Sequence, residues 1–211
     1  MKTLLITASL LSSWLWYLNA DEPNLDEFKT VLRREKTPDN PAMQAGRAFE
    51  VRVRMASDGY IPNERDQTDL DETARDVYGT YTDCVNEVAG IVAGGVWQYS
   101  ASKNVIISGT PFVLYGRIDV LKGAWVYDTK FTRTFDVGKY FTSPQTKMYI
   151  ALVPETIGMK YLACDGNNWY EDSYRREDIQ PIENDVRDFW NWLQDKTELL
   201  NLYVENWQSK Y

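Results

Sequence analysis

The sequence predicts a mainly-β domain: an eight-stranded antiparallel barrel, with a short helix before it and a C-terminal amphipathic helix after it. Three observations predict it. Between Val77 and Cys164, β-branched and aromatic residues dominate, and Gly or Pro recurs about every ten residues. Phe49 to Met55 alternates apolar and charged side chains, the period of a half-buried strand. Ile182, Val186, Phe189, Trp190, Leu193, Leu200 and Val204 then recur at helical spacing.

Taken in order, Met1 to Ala20 reads as a signal peptide. Lys2 supplies the positive start, Leu4 to Leu11 an apolar core, and Asn19-Ala20 a small-residue cleavage site before Asp21. A membrane anchor fits less well, because Leu4 to Leu18 is short for a bilayer and holds Thr7, Ser9, Ser12 and Ser13. The organisation expected is residues 1–20 as signal and 21–211 as one secreted, extracellular domain with no membrane span.

In residues 21–36, Leu25, Phe28, Val31 and Leu32 mark a short helix, which Pro38 and Pro41 stop. Residues 58–76 are acidic and polar and predict a long surface loop, with a helical turn around Leu70 to Ala74. Beside 49–55, the strands predicted are Val77–Val85, Val96–Ser102, Asn104–Ser108, Phe112–Leu121, Trp125–Phe135, Lys147–Val153 and Lys160–Cys164. Pro181 occupies the favoured first position of the closing helix.

Composition narrows the function. Against 31 Asp+Glu stand 23 Lys+Arg, a formal charge of -8, so the basic stripe that nucleic acid requires is absent. With no His, Ser-His-Asp and Cys-His nucleophiles and most zinc sites are excluded. No phosphate loop or nucleophile motif occurs, so no enzyme, cofactor or metal is expected. The 8 Trp, 14 Tyr and 7 Phe suit an aromatic-lined interior or a binding surface.

Outside the cell, pairing is the default state of Cys84 and Cys164, and two unpaired buried thiols are the alternative. A bridge would close a loop of about 80 residues, worth roughly 4.5 kcal/mol in the chain-entropy model. Cys84, Trp97 and Cys164 also have an immunoglobulin-type order. That architecture wants Tyr two residues before the second Cys, where Leu162 stands, and leaves no room for a long C-terminal helix.

Several segments, in order, resemble the tick salivary lipocalins that include the histamine-binding proteins. Asn24 to Lys29 resembles their short leading helix, Phe49 to Met55 their first strand, and Cys84-Val85 an early strand start. Tyr127 to Phe135 and Met148 to Glu155 resemble two central strands, and Ile182 to Val204 the closing helix. The family's amine-binding signature is incomplete here: Met148 stands where a Cys is usual, Asp165 rather than Glu follows Cys164, and Trp169 comes two positions late.

The resemblance implies a lipocalin-like barrel that sequesters a small ligand without turnover, countering host inflammation in saliva. With strand alternation it nominates Trp125, Tyr127, Phe131 and Arg133 as pocket lining, followed by Trp97, Tyr149 and Asp165. A biogenic amine would use aromatic faces and a carboxylate, for which Asp119, Glu50, Glu155 and Asp165 are the acids near predicted strands; a lipid mediator would use Arg133 between Phe131 and Phe135. The alternative function is a secreted surface that engages a host protein partner, with no small-molecule pocket.

Overall fold

The computed structural model describes residues 3–73 and 82–209. Among them the chain is 46% helical and 26% strand, with eight α-helices around an open, mixed, six-stranded sheet. The eight-stranded antiparallel barrel is therefore corrected to an α/β architecture.

The chain opens with β1 (Leu4–Thr7), which runs directly into α1 (Ala8–Asn19). Leu4, Leu5 and Ile6 are buried, and Thr7 caps the helix by accepting a hydrogen bond from the Leu10 amide at 3.2 Å. Within the segment expected to be a signal, residues 4–19 form a strand and a helix that pack into the larger core. After α2 (Leu25–Leu32) comes α3 (Pro41–Asp58), where the clearest sequence strand, Phe49–Met55, had been expected.

Helical signals beyond that seven-residue window decide the matter. Asn40 caps the Met43 amide, Pro41 takes the first turn, and Gly59 ends the helix at φ 72°. Ala45, Ala48, Phe49 and Val53 then make one buried stripe. The expected loop 58–76 contains α4 (Glu64–Thr73). The expected strand Val77–Val85 begins outside the described residues, and its end, Cys84-Val85, lies in α5 (Thr82–Val92).

A long hairpin follows, β2 (Val96–Ile107) and β3 (Thr110–Lys122), then β4 (Trp125–Phe131). The two strands expected at 96–108 are one. Lys147–Val153 is helix α6 (Pro144–Leu152), started by a Ser143 cap and Pro144, not a strand. β5 (Gly158–Cys164) agrees with expectation, whereas β6 (Trp169–Arg175) had no sequence signal assigned to it. The closing helix is two, α7 (Ile182–Gln194) and α8 (Thr197–Asn206).

β3 organises the sheet. It pairs with β2 antiparallel along its length. On its other side it pairs with β1, parallel, at Phe112–Tyr115, and with β4, antiparallel, at Val120–Lys122. β4, β5 and β6 complete the sheet, while Trp207 and Gln208 close the free edge of β1. β5 alternates between two cores: Met159 and Tyr161 face the larger one under α1, α2, α6, α7 and α8, and Leu162 and Cys164 face the smaller one under α3 and α5.

Candidate functional site

Because β1 stops at Thr7 and β4 meets β3 only at Val120, residues Gly116 to Asp119 have no strand partner on that side. The sheet forks there. On the opposite side the ladder skips the Gln98–Asp119 position, and Gln98 is held at φ 53°, a left-handed conformation costly for a side chain with a Cβ. β3 thus loses regular pairing on both flanks at Asp119.

Side chains fill the fork. Tyr149 of α6 donates to the Arg117 carbonyl at 2.7 Å, and the Thr129 amide donates to Asp119 Oδ2 at 3.2 Å. Gln145 Nε2 donates to Asp128 Oδ1 at 2.6 Å, and Lys130 Nζ lies 2.7 Å from Asp128 Oδ2. Glu50 arrives from α3 and accepts a hydrogen bond from Gln98 Nε2. Gly116 lets α6 approach: a Cβ there would lie 2.8 Å from Leu152 Cδ1 and 2.9 Å from Tyr149 Cε1.

Three carboxyl groups therefore share a little-hydrated region. Burial first, then the negative charge of Asp128 and Glu50, holds the Asp119 carboxyl well above its ordinary range. Glu50 is raised as well, by burial and then by Asp128. Burial pushes Lys130 down, but Asp128 and Asp119 outweigh it and leave the ammonium raised. One ion pair, Asp128–Lys130, is thus set among carboxyls biased towards the neutral form.

Above the fork opens a cleft of about 340 Å³, bordered by Thr7, Ser9, Ser12, Arg117, Gln145 and Tyr149. It lies at the carboxyl end of β1 and the amino end of α1. In open α/β sheets, ligands seat in such crevices, where helix amides and the helix dipole favour an anionic group.

Of the sequence-nominated residues, Tyr149 borders this cleft. Trp97, Trp125, Tyr127 and Phe131 pack instead against the smaller core, on the other face of the sheet. Arg133 is exposed in the loop after β4. Asp165 is half-buried in the β5–β6 turn. Hydrogen bonds from the Asn168 and Asn167 amides and from the Tyr170 hydroxyl hold its carboxyl down at about 2.

Cys84 and Cys164 are buried and 3.0 Å apart without a bond, so the expected disulfide is corrected to two free thiols; a bond would need about 2.05 Å. Burial, then the neighbouring Cys84, pushes Cys164 up to about 12. Arg117, Gln145 and Lys130 escaped sequence reasoning, because their meeting depends on which strands pair. No group of His, Cys, Asp and Glu among the described residues could hold a metal ion, and no described helix is long and apolar enough to cross a membrane.

No protein-family model matches the chain, and no curated protein matches it. Among solved structures it is similar to one described as "Crystal structure of SSO0001", an archaeal protein. The two are 13% identical, with a TM-score of 0.42 over 82% of this chain and 87% of that one, too little to carry a fold or a function across.

Proposed function

We propose that the protein binds a small polar molecule in the cleft at the fork, with an anionic group, a phosphate ester or a carboxylate, seated at the amino end of α1. The observation that carries the reading is the sheet fork, which leaves Gly116 to Asp119 without a strand partner on the side facing that helix end. The hydroxyls of Thr7, Ser9 and Ser12 and the guanidinium of Arg117 supply donors at one rim. Tyr149 and Gln145 form the other wall, fixed by their bonds to the Arg117 carbonyl and to Asp128.

Between an amine and an acidic lipid or metabolite, these groups favour the acid. Asp128 is already paired with Lys130, and Asp119 is biased towards its neutral form, so neither is a ready partner for an ammonium. Binding without turnover remains the proposed mode. β1 and α1 build the cleft, so the reading takes residues 1–20 in place.

Native mass spectrometry of the full chain with phosphate esters, fatty acids, histamine and serotonin tests this. A one-to-one adduct with an acid is expected, weakened roughly 10–100-fold by Arg117→Ala, the loss of one charge-assisted contact, and abolished by Ser12→Phe, which fills the cleft. An amine adduct, or an acid adduct indifferent to Ser12→Phe, overturns the reading.

A further inference from the structure

In a chain of net charge -8, four guanidinium groups border one cleft of about 210 Å³ on the opposite side of the fork. It lies between α3, the first turn of α4 and β2–β3. Two of the four are committed. Arg47 is bonded to Asp69 at 2.7 Å and lies 2.9 Å from Asp39, and Arg65 reaches the same Asp39 at 3.5 Å.

The other two are held more loosely: Arg54 forms a long ion pair with Asp58, and Arg117 forms none among the described residues. The Arg54 guanidinium lies over the Tyr60 ring at 3.9 Å and within 5.8 Å of the Trp97 ring. Its Nε is buried without a hydrogen bond, and the Asp58 carboxylate stands 3.8 Å away. The Arg117 side chain makes no ion pair or hydrogen bond among the described residues, although it borders both clefts.

The walls are pre-set. Tyr60 donates to Asp66 at 2.6 Å, and Asn63 accepts the Asp66 amide at 3.0 Å, so the start of α4 is tied to the ring on which Arg54 stacks. The acids at this cleft are engaged as well: Asp66 by Tyr60, and Glu50 by Gln98. The cleft also holds the carboxyls of Glu50 and Asp66, but Arg117, which has no ion pair among the described residues, and the buried Arg54 Nε, which has no hydrogen bond, leave guanidinium donors open to a multivalent oxyanion, whose paired oxygens match the guanidinium fork.

We propose that this cleft is a second site, which takes a compact polyanion, phosphoryl or polycarboxylate, on Arg54 and Arg117, with Arg65 at its mouth. Arg117 borders both clefts, so Arg54 and Arg65, which border this one and not the first, are the residues that distinguish it.

Isothermal titration of the full chain at low salt, with pyrophosphate in one arm and citrate in another, tests the proposal and separates the two oxyanion sources. Saturable one-to-one uptake is expected in at least one arm. Arg54→Ala should weaken it at least 10-fold and Arg65→Ala about 3-fold. Ser12→Phe, which lies outside this cleft, should leave it unchanged. No saturable uptake of either anion by the wild-type chain overturns the proposal. So does wild-type affinity in Arg65→Ala, whose exposed position keeps the fold out of question, or loss of uptake in Ser12→Phe, which would place the anion in the first cleft.

Discussion

At the residue scale, Asp119 is the fork carboxyl displaced furthest from its ordinary range. Burial and the charges of Asp128 and Glu50 raise its carboxyl well above the ordinary value of 3.8. The folded state therefore holds this proton more tightly than the unfolded chain does. The stability so contributed is fully present below 3.8 and is lost as pH rises through the folded-state value. Asp119→Asn keeps an oxygen that can accept the Thr129 amide and removes the titration. Its melting temperature should exceed that of the wild type at pH 8, and the two should converge as pH falls to 3.8. Parallel melting curves across that range would mean that Asp119 is ionised in the folded protein. The Asp165 carboxyl, held down at about 2, runs the other way, since its contribution is present above the ordinary value and lost on acidification, so only the difference between the two proteins isolates Asp119.

At the element scale, the amino-terminal segment makes the strongest prediction. β1 and α1 place Leu4, Ile6, Leu10, Leu11 and Trp14 in the larger core, and the Tyr203 hydroxyl donates to the Leu5 carbonyl at 2.9 Å. A chain starting at Asp21 loses all of these, and it should give no cooperative thermal transition. Ile6→Ala in the full chain should cost about 2–5 kcal/mol by denaturant titration. A cooperative transition in the truncated chain would show that β1 and α1 are dispensable. The same segment shows how one sequence pattern carries two readings. A charged start followed by an apolar run is the pattern of a signal peptide and also of a buried parallel strand entering a helix, and the two differ only in what covers them. Phe49–Met55 alternates because Arg52 and Arg54 flank Val53, yet the cap at Asn40 and the glycine at Gly59 lie outside that window and set the helix. Where local chemistry and pattern agreed, the sequence was readable: β3, β5, β4 (although the expected strand overran it to Phe135) and the helical carboxyl end lie where periodicity put them. The candidate site was less readable. Tyr149 was nominated on a mistaken strand, and Asp119 and Glu50 stood out only as acids near strands. Arg117 and Gln145 meet them through the fork, a property of pairing rather than of composition.

At the scale of the whole molecule, two cores of unequal size lie on opposite faces of one sheet. The larger joins α1, α2, α6, α7 and α8 to β1, β3 and β5; the smaller holds α3 and α5 over Val120, Tyr127, Leu162 and Cys164. Local opening follows the burial each layer contributes, so the α3–α5 layer should open at lower free energy than the rest. The two thiols report on it directly, because Cys84 and Cys164 both lie in the smaller core. Without denaturant they should resist alkylation, since both are buried and Cys164 is pushed up to about 12, which leaves little thiolate at neutral pH. With denaturant below the unfolding midpoint, labelling should appear while the amides of Phe112 and Leu114, held in the larger core between β1 and β2, stay protected from hydrogen exchange. Labelling that tracks global unfolding alone would show the two layers to be one cooperative unit. In that case the fork would transmit stability between the faces of the sheet, and a ligand seated in either cleft would stabilise both cores together.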